Sequence, residues 1–464
     1  QGIPFGPALG WVALSAFLAL FTAVWVWVVS IQTRVQQASL LPETWVRRFL
    51  WMTAGAAAWV GIEMVLARIL GGFPWNLLGV SQYKMTPLIQ VASVTGVYGV
   101  SFLVVWVSLA LLSAAQMLIR RPNARSALAA EVFIPVLVAA AVFNIGFRQI
   151  RSGSAQQRTM KVLLIQPSIP QNLIWDPGQN TNRFAELVAY SDRALTNNAD
   201  LLIWPESAIP EMLRYETNTF NAISNLALKH HVWMIVGSDD MEPKRGARES
   251  GGVDYFNSSF LISPEGLLAE RYLKRSLVIF GEYVPWQRWL PFLKWLVPFD
   301  GGYTSGKEST EFNLPSLGLK TSVLICFEDI FPQLARTDVK SDTDFLVNIT
   351  NDGWFGHSAA QWQHATTALF RAVENRLPLI RCCNNGLTCW VDAFGRIRQL
   401  LRDDHGTVYG MGYLRAEIPM PSAGQTHPLT FYTRHGDVFG WGCVVVAVLF
   451  VACNYRHWKP AASR

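Results

Sequence analysis

Residues Ser322–Ile330 have the sequence SVLICFEDI, which gives the clearest indication of the fold of the larger part of the chain. A short run of consecutive apolar residues that includes β-branched side chains is typical of a strand buried on both faces of a sheet. We therefore predict a central strand at Ser322–Glu328 that carries Cys326 near its end. A thiol there is well placed as a nucleophile if a neighbouring base removes its proton. A cysteine that only packs in the core is the alternative.

Runs of the same kind recur on both sides of this strand. We predict further strands at Lys161–Pro167, Leu201–Glu206, Val232–Ser238, Phe256–Ser263, Phe345–Thr350 and Cys389–Asp392. Helical patterns lie between them, at Arg183–Thr196, Thr217–His230 and Ala359–Asn375. Strands that alternate with helices in this way predict an α/β domain with mixed sheets over residues 158–430.

Two charged residues stand at or near the ends of apolar runs. Glu206 lies in LLIWPESAIP, where partial desolvation would raise its pKa and make it a usable base. Lys274 lies in RYLKRSLVIFGEYVP and offers a fixed positive charge for a developing oxyanion. Each also has an ordinary reading as a solvated surface residue, and spacing along the chain does not decide between the two readings.

Five apolar stretches flank this domain, at Trp11–Val29, Phe49–Leu70, Val97–Ile119, Val132–Phe147 and Val438–Cys453. A membrane-spanning helix needs about 20 mostly apolar residues, and the first three stretches are long enough. The last two are shorter, and buried core helices are the alternative for them. Because the polar loops are short, we predict a bundle of four spans in residues 1–150 and a C-terminal span with a tail in residues 436–464.

Basic residues predict the orientation of these spans. They cluster after the first span, after the third and in the C-terminal tail, at Arg34, Arg47, Arg48, Arg120, Arg121, Arg125, Arg456, Lys459 and Arg464. Cytoplasmic loops carry an excess of Lys and Arg, so these three segments are predicted to be cytoplasmic. The N-terminus and the domain at residues 158–430 then lie on the opposite side of the membrane.

The composition excludes several classes of protein. The chain is 51% hydrophobic and 16% charged, whereas soluble chains carry about 25% charged residues. Its net charge of +6 is modest and is not organised into basic runs with interleaved aromatics, which argues against nucleic-acid binding. The six cysteines form no CxxC pair and no zinc-ligand spacing, and they do not resemble a disulfide framework. Their pattern does not assign roles to Cys382, Cys383 and Cys389.

The order of Glu206, Lys274 and Cys326 resembles the nitrilase, or carbon–nitrogen hydrolase, superfamily. Longer motifs resemble its membrane branch, the apolipoprotein N-acyltransferase family, and they are GFPW, TGVYGVSF, WPESAIP, FGEYVP, ICFED, NDGWFG and NNG. The resemblance covers nearly the whole chain. It implies a nitrilase-like αββα sandwich at residues 158–430, fused to an α-helical transmembrane bundle.

The resemblance also implies roles for individual residues. Glu206 is the implied general base, Lys274 the oxyanion stabiliser and Cys326 the nucleophile. Supporting roles in the active site are implied for Glu282, Glu328, Trp175, Trp75 and Asn351. Because residues two apart in a strand share a face, Glu328 is expected to point toward the pocket of Cys326 if the strand continues. No metal or organic cofactor is expected.

The implied activity is lipoprotein maturation. A fatty acyl chain would pass from a phospholipid, with phosphatidylethanolamine the implied donor, through a Cys326 thioester to the N-terminal amine of a diacylglyceryl-cysteine apolipoprotein. The implied location is the bacterial inner (cytoplasmic) membrane, with several spans and a periplasmic catalytic domain. The apolar loop Trp286–Ser309 and the GFPW loop are candidates for a lipid-facing rim or for simple interfacial anchors. A membrane-tethered nitrilase-type amidase and a non-catalytic membrane scaffold are the alternative functions.

The sequence departs from the family pattern at several positions. Phe327 follows the cysteine where Tyr is usual, Gly353 stands where Ala is common, and Ser276 and Ile279 replace a His and a Pro. Members of the family typically have about eight spans, so we expect about three N-terminal spans to be absent from this sequence. No departure removes a charged group of the implied triad.

Overall fold

The computed structural model describes residues 6–38, 44–120, 125–152, 158–174, 176–244, 252–285, 289 and 302–455. The chain divides into two compact units. The first comprises Gln1–Gly153 and Thr430–Arg464, and the second comprises Ser154–Leu429. The second unit is therefore inserted between two parts of the first. Predicted features at Trp175, at most of residues 286–301 and in the basic tail lie outside the described residues.

The first unit is helical. Its α-helices are α1 (Gly6–Ala38), α2 (Trp45–Leu66), α3 (Thr86–Ile89), α4 (Ala92–Thr95), α5 (Val97–Arg120), α6 (Arg125–Arg151), α12 (Phe431–His435) and α13 (Val438–Tyr455). In the described part of the chain, four segments are long and apolar enough to cross a membrane: Ala8–Ile31, Trp45–Leu66, Val97–Ile119 and Glu131–Arg151. Helix α13 adds a shorter apolar segment, Val438–Asn454, whose valines are largely exposed rather than packed in a core.

Small residues allow the helices of this unit to pack closely. Gly55 of α2 faces Leu109 of α5, and Gly61 of α2 faces Val444 of α13. Gly440 of α13 faces Met64 of α2 so closely that a Cβ atom there would clash with its sulfur. Membrane helices associate mainly through such close contacts between small residues. Helix α2 is thus held against both α5 and α13.

Several polar side chains inside the first unit are paired with each other. Arg48 Nε donates to Glu131 Oε1 at 2.8 Å, and Ser113 Oγ donates to Glu131 Oε2 at 3.0 Å. Glu63 accepts from Trp59 Nε1 at 2.9 Å and from the backbone N–H of Leu78 at 2.8 Å. Ionisable groups in an apolar bundle are costly unless they are paired in this way.

The second unit contains two sheets. Its strands are β1 (Arg158–Gln166), β2 (Leu201–Ile203), β3 (Trp233–Pro243), β4 (Val253–Ile262), β5 (Leu268–Leu273), β6 (Glu311–Leu314), β7 (Leu319–Ile325), β8 (Phe345–Thr350), β9 (Leu379–Cys383), β10 (Cys389–Val391), β11 (Ile397–Leu400) and β12 (Gly412–Met420). The described strands form two six-stranded sheets, ordered β12-β1-β2-β3-β4-β5 and β11-β10-β9-β8-β7-β6.

Both sheets have a parallel centre with antiparallel edges. Strands β1, β2 and β3 are parallel in one sheet, and β7, β8 and β9 are parallel in the other. Strand β5 pairs antiparallel with β4, which pairs antiparallel with β3, so β5 runs in the same direction as β2. The carboxyl ends of β2 and β5 therefore lie at the same edge of the first sheet, and in such sheets this edge usually carries the site.

Alternate side chains of the central strands face two different cores. Val162 and Ile203 of the first sheet, and Val323 and Ile349 of the second, share the core between the sheets. On the outer side of the first sheet, Leu163 packs with residues of α8 (Asn180–Ala194) and α9 (Thr217–His230). Helix α11 (Ala360–Asn375) packs against β9 and against the turn that follows β7. The short helices α7 (Gln171–Ile174) and α10 (Pro332–Thr337) also belong to this unit. The predicted αββα sandwich is confirmed.

Two predicted strands end earlier than the sequence indicated. Strand β7 ends at Ile325, and residues Cys326–Ile330 form a 3₁₀ turn rather than an extension of the strand. Strand β2 likewise ends at Ile203, three residues before Glu206. Each of these strands is followed by a turn that contains a residue with positive φ. Cys326, after β7, has a φ of 52°, and Ser207, after β2, has a φ of 51°, so neither strand can continue through its turn.

Candidate active site

The three residues of the predicted triad follow the ends of three strands. Glu206 lies three residues beyond β2, Lys274 directly follows β5, and Cys326 directly follows β7. Glu206 and Lys274 are buried, with 7% and 1% of their surface exposed, and Cys326 is partly buried. The fold therefore brings together groups that are 120 residues apart in the sequence, counted from Glu206 to Cys326.

Lys274 bridges two carboxylates. Its Nζ lies 3.2 Å from Glu206 Oε1 and 2.8 Å from Glu282 Oε1. Asn257 Nδ2 donates to the same two oxygens, at 2.7 Å and 3.0 Å. The second oxygen of Glu282 accepts the backbone N–H of Val278 at 2.8 Å, which fixes the FGEYVP segment beside the lysine.

The charges around Lys274 keep it protonated. Burial by itself lowers the pKa of the Lys274 ammonium, but the carboxylates of Glu206 and Glu282 outweigh burial and hold that pKa well above its ordinary value. A lysine in this state is a permanent positive charge in a site of low polarity. Such a fixed charge stabilises an oxyanion far better than a solvated one does.

The Cys326 thiol lies in the field of the same groups. Burial raises the pKa of this thiol well above its ordinary value, and the Glu206 carboxylate raises it further. The Lys274 ammonium and a hydrogen bond with Thr350 act in the opposite direction without reversing the shift. The resting group is therefore the neutral thiol, which needs a base to become a nucleophile.

Cys326 occupies a strained position at the tip of a strand. Its φ of 52° lies in the left-handed region that non-glycine residues rarely adopt. Asn348 of β8 supports the turn by donating from Nδ2 to the carbonyls of Leu324 at 3.3 Å and Cys326 at 3.2 Å. The turn thus takes Cys326 out of the strand, and this residue is partly exposed while its neighbours in β7 are buried.

Glu328 anchors the nucleophile turn to the loop of Lys274. It accepts the backbone N–H groups of Ile325 at 2.8 Å, Arg275 at 2.7 Å and Ser276 at 3.0 Å. It also accepts the Tyr272 hydroxyl at 2.9 Å with each oxygen. The expectation that Glu328 shares a strand face with Cys326 is wrong, because the strand ends at Ile325 and the chain turns back on itself.

Comparison with known proteins gives the family. Residues 161–426 match the carbon-nitrogen hydrolase family, and residues 3–110 match the apolipoprotein N-acyltransferase N-terminal domain. The apolipoprotein N-acyltransferase of Geobacter metallireducens is 38% identical over 401 residues, which cover 86% of this chain and 73% of that protein. This chain belongs to the apolipoprotein N-acyltransferase family. The protein of that name from Chlorobaculum tepidum is 30% identical over 411 residues, covering 84% of this chain and 74% of that protein.

Among solved structures, an amidase from Nesterenkonia is similar, with a TM-score of 0.41 and 16% identity over 58% of this chain and 94% of that chain. Membership of the apolipoprotein N-acyltransferase family, together with the four apolar helices, identifies the chain as a membrane protein. Glu206, Lys274 and Cys326 all fall in the segment matched by the carbon-nitrogen hydrolase family.

The other residues for which the resemblance implied a supporting role, Asn351, Trp75 and Trp175, lie in different parts of the chain. Asn351 is a cap: its Oδ1 accepts Gly353 N–H at 3.1 Å and Asn384 Nδ2 at 3.1 Å, and its Nδ2 donates to Gln171 at 3.0 Å. Trp75 belongs to the first unit, where its ring stacks with that of Phe73 at 6.3 Å. Trp175 lies outside the described residues.

Sequence reasoning missed Asn257 and Asp239, which face each other on neighbouring strands β4 and β3. Asn257 lies in the middle of a strand that reads as ordinary core. Burial raises the pKa of Asp239 to about 6, and its Oδ2 accepts the hydroxyl of Tyr303 at 2.9 Å. A polar residue within an apolar strand is the signal that would have identified both.

Three cysteines that the sequence left without a role are buried. Cys382 Sγ donates to the carbonyls of Ile165 and Ile203, each at 3.3 Å, and Cys383 Sγ donates to the Asn385 carbonyl at 3.0 Å. Burial raises the pKa of Cys382, Cys383 and Cys389 above the ordinary value of a thiol. They behave as small core residues.

Proposed function

We propose that the protein transfers a fatty acyl chain from a phospholipid, through a thioester at Cys326, to the N-terminal amine of a diacylglyceryl-cysteine apolipoprotein. Phosphatidylethanolamine is the proposed donor. The observation that carries the proposal is the convergence of Glu206, Lys274 and Cys326 at strand ends in one largely buried site. Membership of the apolipoprotein N-acyltransferase family supports the choice of substrates.

In the first half-reaction, Glu206 accepts the proton of the Cys326 thiol as the sulfur attacks the ester carbonyl. The negative charge that develops on the carbonyl oxygen is stabilised by Lys274 and by a backbone N–H beside Cys326. The carbon–oxygen bond of the ester then breaks. The departing lysophospholipid alkoxide takes the proton from Glu206, which leaves an acyl-cysteine and a carboxylate.

In the second half-reaction, the amine of the apolipoprotein attacks the thioester carbonyl. Glu206 accepts a proton from the amine, and Lys274 again faces the oxyanion. The carbon–sulfur bond breaks, and the thiolate regains its proton from Glu206. The products are an amide and the free enzyme, so no external oxidant, reductant or cofactor is consumed.

Exposed aromatic residues near the site suit a lipid substrate. Phe280 precedes Gly281 and Glu282 in the FGEYVP segment and is 42% exposed. Trp354 and Phe355 follow Asn351 in the NDGWFG segment and are 53% and 37% exposed. Exposed apolar groups of this kind often mark a surface that contacts a membrane or an apolar ligand. We propose that these residues form part of the lipid-facing rim.

We propose that the protein resides in the bacterial inner membrane with residues 158–430 on the periplasmic side. The proposed arrangement is four spans within residues 1–150, a catalytic domain, and a final span with a cytoplasmic tail in residues 436–464. The basic residues of the first and third predicted loops support this orientation. An accessibility assay with a membrane-impermeant reagent on single engineered cysteines would test it.

Intact-protein mass spectrometry tests the chemistry. The full chain is incubated with phosphatidylethanolamine vesicles at neutral pH and measured with and without hydroxylamine. We expect a mass gain of one acyl chain that hydroxylamine removes. Cys326→Ser should give no hydroxylamine-sensitive adduct, whereas the control Cys453→Ser, which changes an exposed cysteine of the first unit, should behave as the wild type.

Adding acceptors to the isolated acyl-enzyme then tests the second substrate. We expect a diacylglyceryl-cysteine peptide to remove the acyl chain and to gain its mass. Release of free fatty acid at the same rate without peptide would indicate an amidase-like hydrolase instead. Absence of any adduct on folded wild-type protein would contradict the proposed function and favour a non-catalytic scaffold.

A further inference from the structure

A buried group of four charged residues lies behind the turn of Cys326. Asp329 belongs to that turn, Asp352 begins the 3₁₀ turn Asp352–Phe355, His364 lies on α11 and Arg381 lies on β9. All four are at most 1% exposed. The acyl-transfer mechanism described above uses none of them, so their burial needs a separate explanation.

The four side chains form a closed ring of ion pairs. His364 Nε2 lies 2.9 Å from Asp329 Oδ1, and His364 Nδ1 lies 2.7 Å from Asp352 Oδ1. Arg381 Nη1 lies 2.6 Å from Asp329 Oδ2, and Arg381 Nη2 lies 2.9 Å from Asp352 Oδ2. Each carboxylate thus contacts both basic side chains.

The ring is electrically balanced only when His364 is protonated. Burial lowers the pKa of the imidazole and Arg381 also lowers it, but Asp329 and Asp352 raise it, and the net result is a pKa of about 9. The groups that face the imidazole from the packed elements are Asp329, Asp352, Arg381 and the ring edge of Phe355. Near pH 7 the imidazole of His364 is therefore protonated.

The ring is connected to the backbone of the nucleophile. Arg381 Nη1 donates to Asn348 Oδ1 at 2.5 Å, and the amide nitrogen of Asn348 contacts the Cys326 carbonyl. Arg371 of α11 donates to the carbonyls of Asp329 at 3.3 Å and Ile330 at 3.1 Å, at the other end of the turn. A left-handed cysteine persists only where its surroundings over-determine its conformation, and these contacts do so.

The ring also reaches the exposed aromatic turn. Asp352 directly precedes Gly353, Trp354 and Phe355, and a Cβ atom on Gly386 of the NNG motif would lie 2.9 Å from the Asp352 side chain. Asp352 is therefore fixed on one side by the ring and on another by the NNG backbone. Two separate turns, one carrying Cys326 and one carrying exposed aromatics, each contribute an aspartate that contacts the same histidine.

We propose that protonated His364 is a positioning residue: by joining Asp329 to Asp352, it holds the Cys326 turn and the Asp352–Phe355 turn in the arrangement that acyl transfer requires. The inference rests on the proposed role of Cys326 as nucleophile. His364 does not touch the reacting atoms, and it acts through the two turns. A displacement of about 1 Å at a reacting group costs on the order of 100-fold in rate.

The test compares the wild type with His364→Gln and with the control His230→Gln. His230 also pairs with an aspartate, Asp192, at 2.7 Å, but at the surface of the second unit. Glutamine preserves one hydrogen bond of His364 but cannot carry charge. We expect acyl-enzyme formation to slow at least about tenfold in His364→Gln. We expect no change in the control.

Hydrogen–deuterium exchange separates positioning from general stability and does not require activity. In His364→Gln we expect faster exchange at residues 326–331 and 352–356, with unchanged exchange in β7 and β8. Exchange that rises evenly over the whole second unit would show a merely structural role and overturn the proposal. A wild-type rate of acylation in the variant would overturn it as well. If the wild type itself forms no acyl-enzyme, the proposed function fails, whereas the exchange data still test the coupling of the two turns.

The wild type provides a second test if His364→Gln does not fold. Phosphatidylglycerol serves as donor in a pH series, because its headgroup does not titrate in this range. We expect the ratio of the acyl-enzyme rate to the rate of iodoacetamide alkylation at Cys326 to fall as the pH rises through the His364 pKa of about 9, because the alkylation rate accounts for ionisation of the thiol. A ratio that stays level or increases through this range would overturn the proposal.

Discussion

Lys274 is the residue on which the charge balance of the active site depends. It is nearly fully buried and is the cation that contacts both Glu206 and Glu282 in the described part of the site. Two carboxylates that share a buried site repel each other strongly unless a cation lies between them. In the proposed mechanism, the same ammonium offsets the charge of the two carboxylates and faces the oxyanion during the reaction.

We predict that Lys274→Met slows acyl-enzyme formation by at least about 100-fold, because the oxyanion loses its charged partner. Single-turnover mass spectrometry with phosphatidylethanolamine vesicles measures this rate. The control is Lys229→Met, since Lys229 is 62% exposed and pairs with Asp192 at the surface. A Lys274→Met protein that acylates at the rate of the control would exclude the assigned role.

Glu206 has two opposite effects on the reactivity of Cys326. Its negative charge raises the pKa of the thiol, and its carboxylate is the proposed base that removes the thiol proton. Burial raises the pKa of the thiol, and the Glu206 charge raises it further, so removal of that charge should lower the pKa. The same removal deprives the acyl-transfer reaction of its proposed base. A single substitution therefore distinguishes thiol ionisation from general-base catalysis.

We predict that Glu206→Gln reacts faster than the wild type with iodoacetamide at Cys326 at pH 8, yet forms the acyl-enzyme at least about 100-fold more slowly. In the wild type, alkylation should be slow at pH 7 and rise about tenfold per pH unit, because a raised pKa leaves little thiolate. Peptide mass spectrometry quantifies labelling at Cys326 alone. Slower alkylation of Glu206→Gln would contradict the proposed electrostatics.

At the scale of elements, the turn Cys326–Ile330 and the loop after β5 are joined by one side chain. Glu328 accepts backbone N–H groups from both, and burial raises the pKa of its carboxyl above the ordinary value. The nucleophile and the lysine are carried by different sheets, so a shared anchor fixes the distance between them. Glu328 thus links two elements, whereas the sequence analysis expected its side chain to point toward the pocket of Cys326 if the strand continued.

We predict that Glu328→Gln lowers the free energy of unfolding by about 2 kcal/mol, because a glutamine offers one acceptor oxygen where the carboxylate offers two to buried donors. Thermal unfolding in detergent measures the loss. Glu216→Gln, at an exposed position before α9, serves as the control and should leave the melting temperature unchanged. Equal melting temperatures for the two variants would refute the anchoring role.

The sequence predicted most of the strands that are buried on both faces, but it missed the buried central strand β9 as well as the edge strands β5, β6, β11 and β12. Strand β7 was recognised by its consecutive apolar residues, whereas β5 has three exposed residues in a row and resembles a polar loop. Glu206, Lys274 and Cys326 were predicted as a triad because each lies at or near the end of an apolar run and within a family motif. The ring around His364 was not found, because a histidine and an arginine in separate elements give no local pattern that reveals their contact.

At the scale of the whole molecule, the first unit is completed by α13, a helix from the C-terminal part of the chain. Helix α13 packs against α2 through Gly440 and Gly61, so the two parts of this unit are held together by contacts that only small residues allow. Helix α12 adds Tyr432, which donates to Asp437 at 2.8 Å, and Arg68 pairs with the same aspartate. The chain before and after the second unit thus forms one body.

We predict that Gly440→Leu lowers the melting temperature of the first unit in detergent, because the new side chain clashes with Met64 and separates α13 from α2. Gly442→Leu is a matched control, since a Cβ atom at that glycine meets nothing within 4 Å. Scanning calorimetry compares the two variants. Destabilisation of equal size in both would show that leucine in α13, rather than the contact with Met64, is responsible.

The first and last strands of the second unit, β1 and β12, are antiparallel neighbours, with Arg158 opposite Met420. Entry to and exit from this unit therefore lie side by side at one corner of a sheet. A short peptide joining these two points would close the loop at little entropic cost, so the unit meets the geometric condition for circular permutation. The same geometry lets a hydrolase be spliced into a loop between two membrane helices without rearranging either partner, which offers a simple origin for an enzyme that works on lipids.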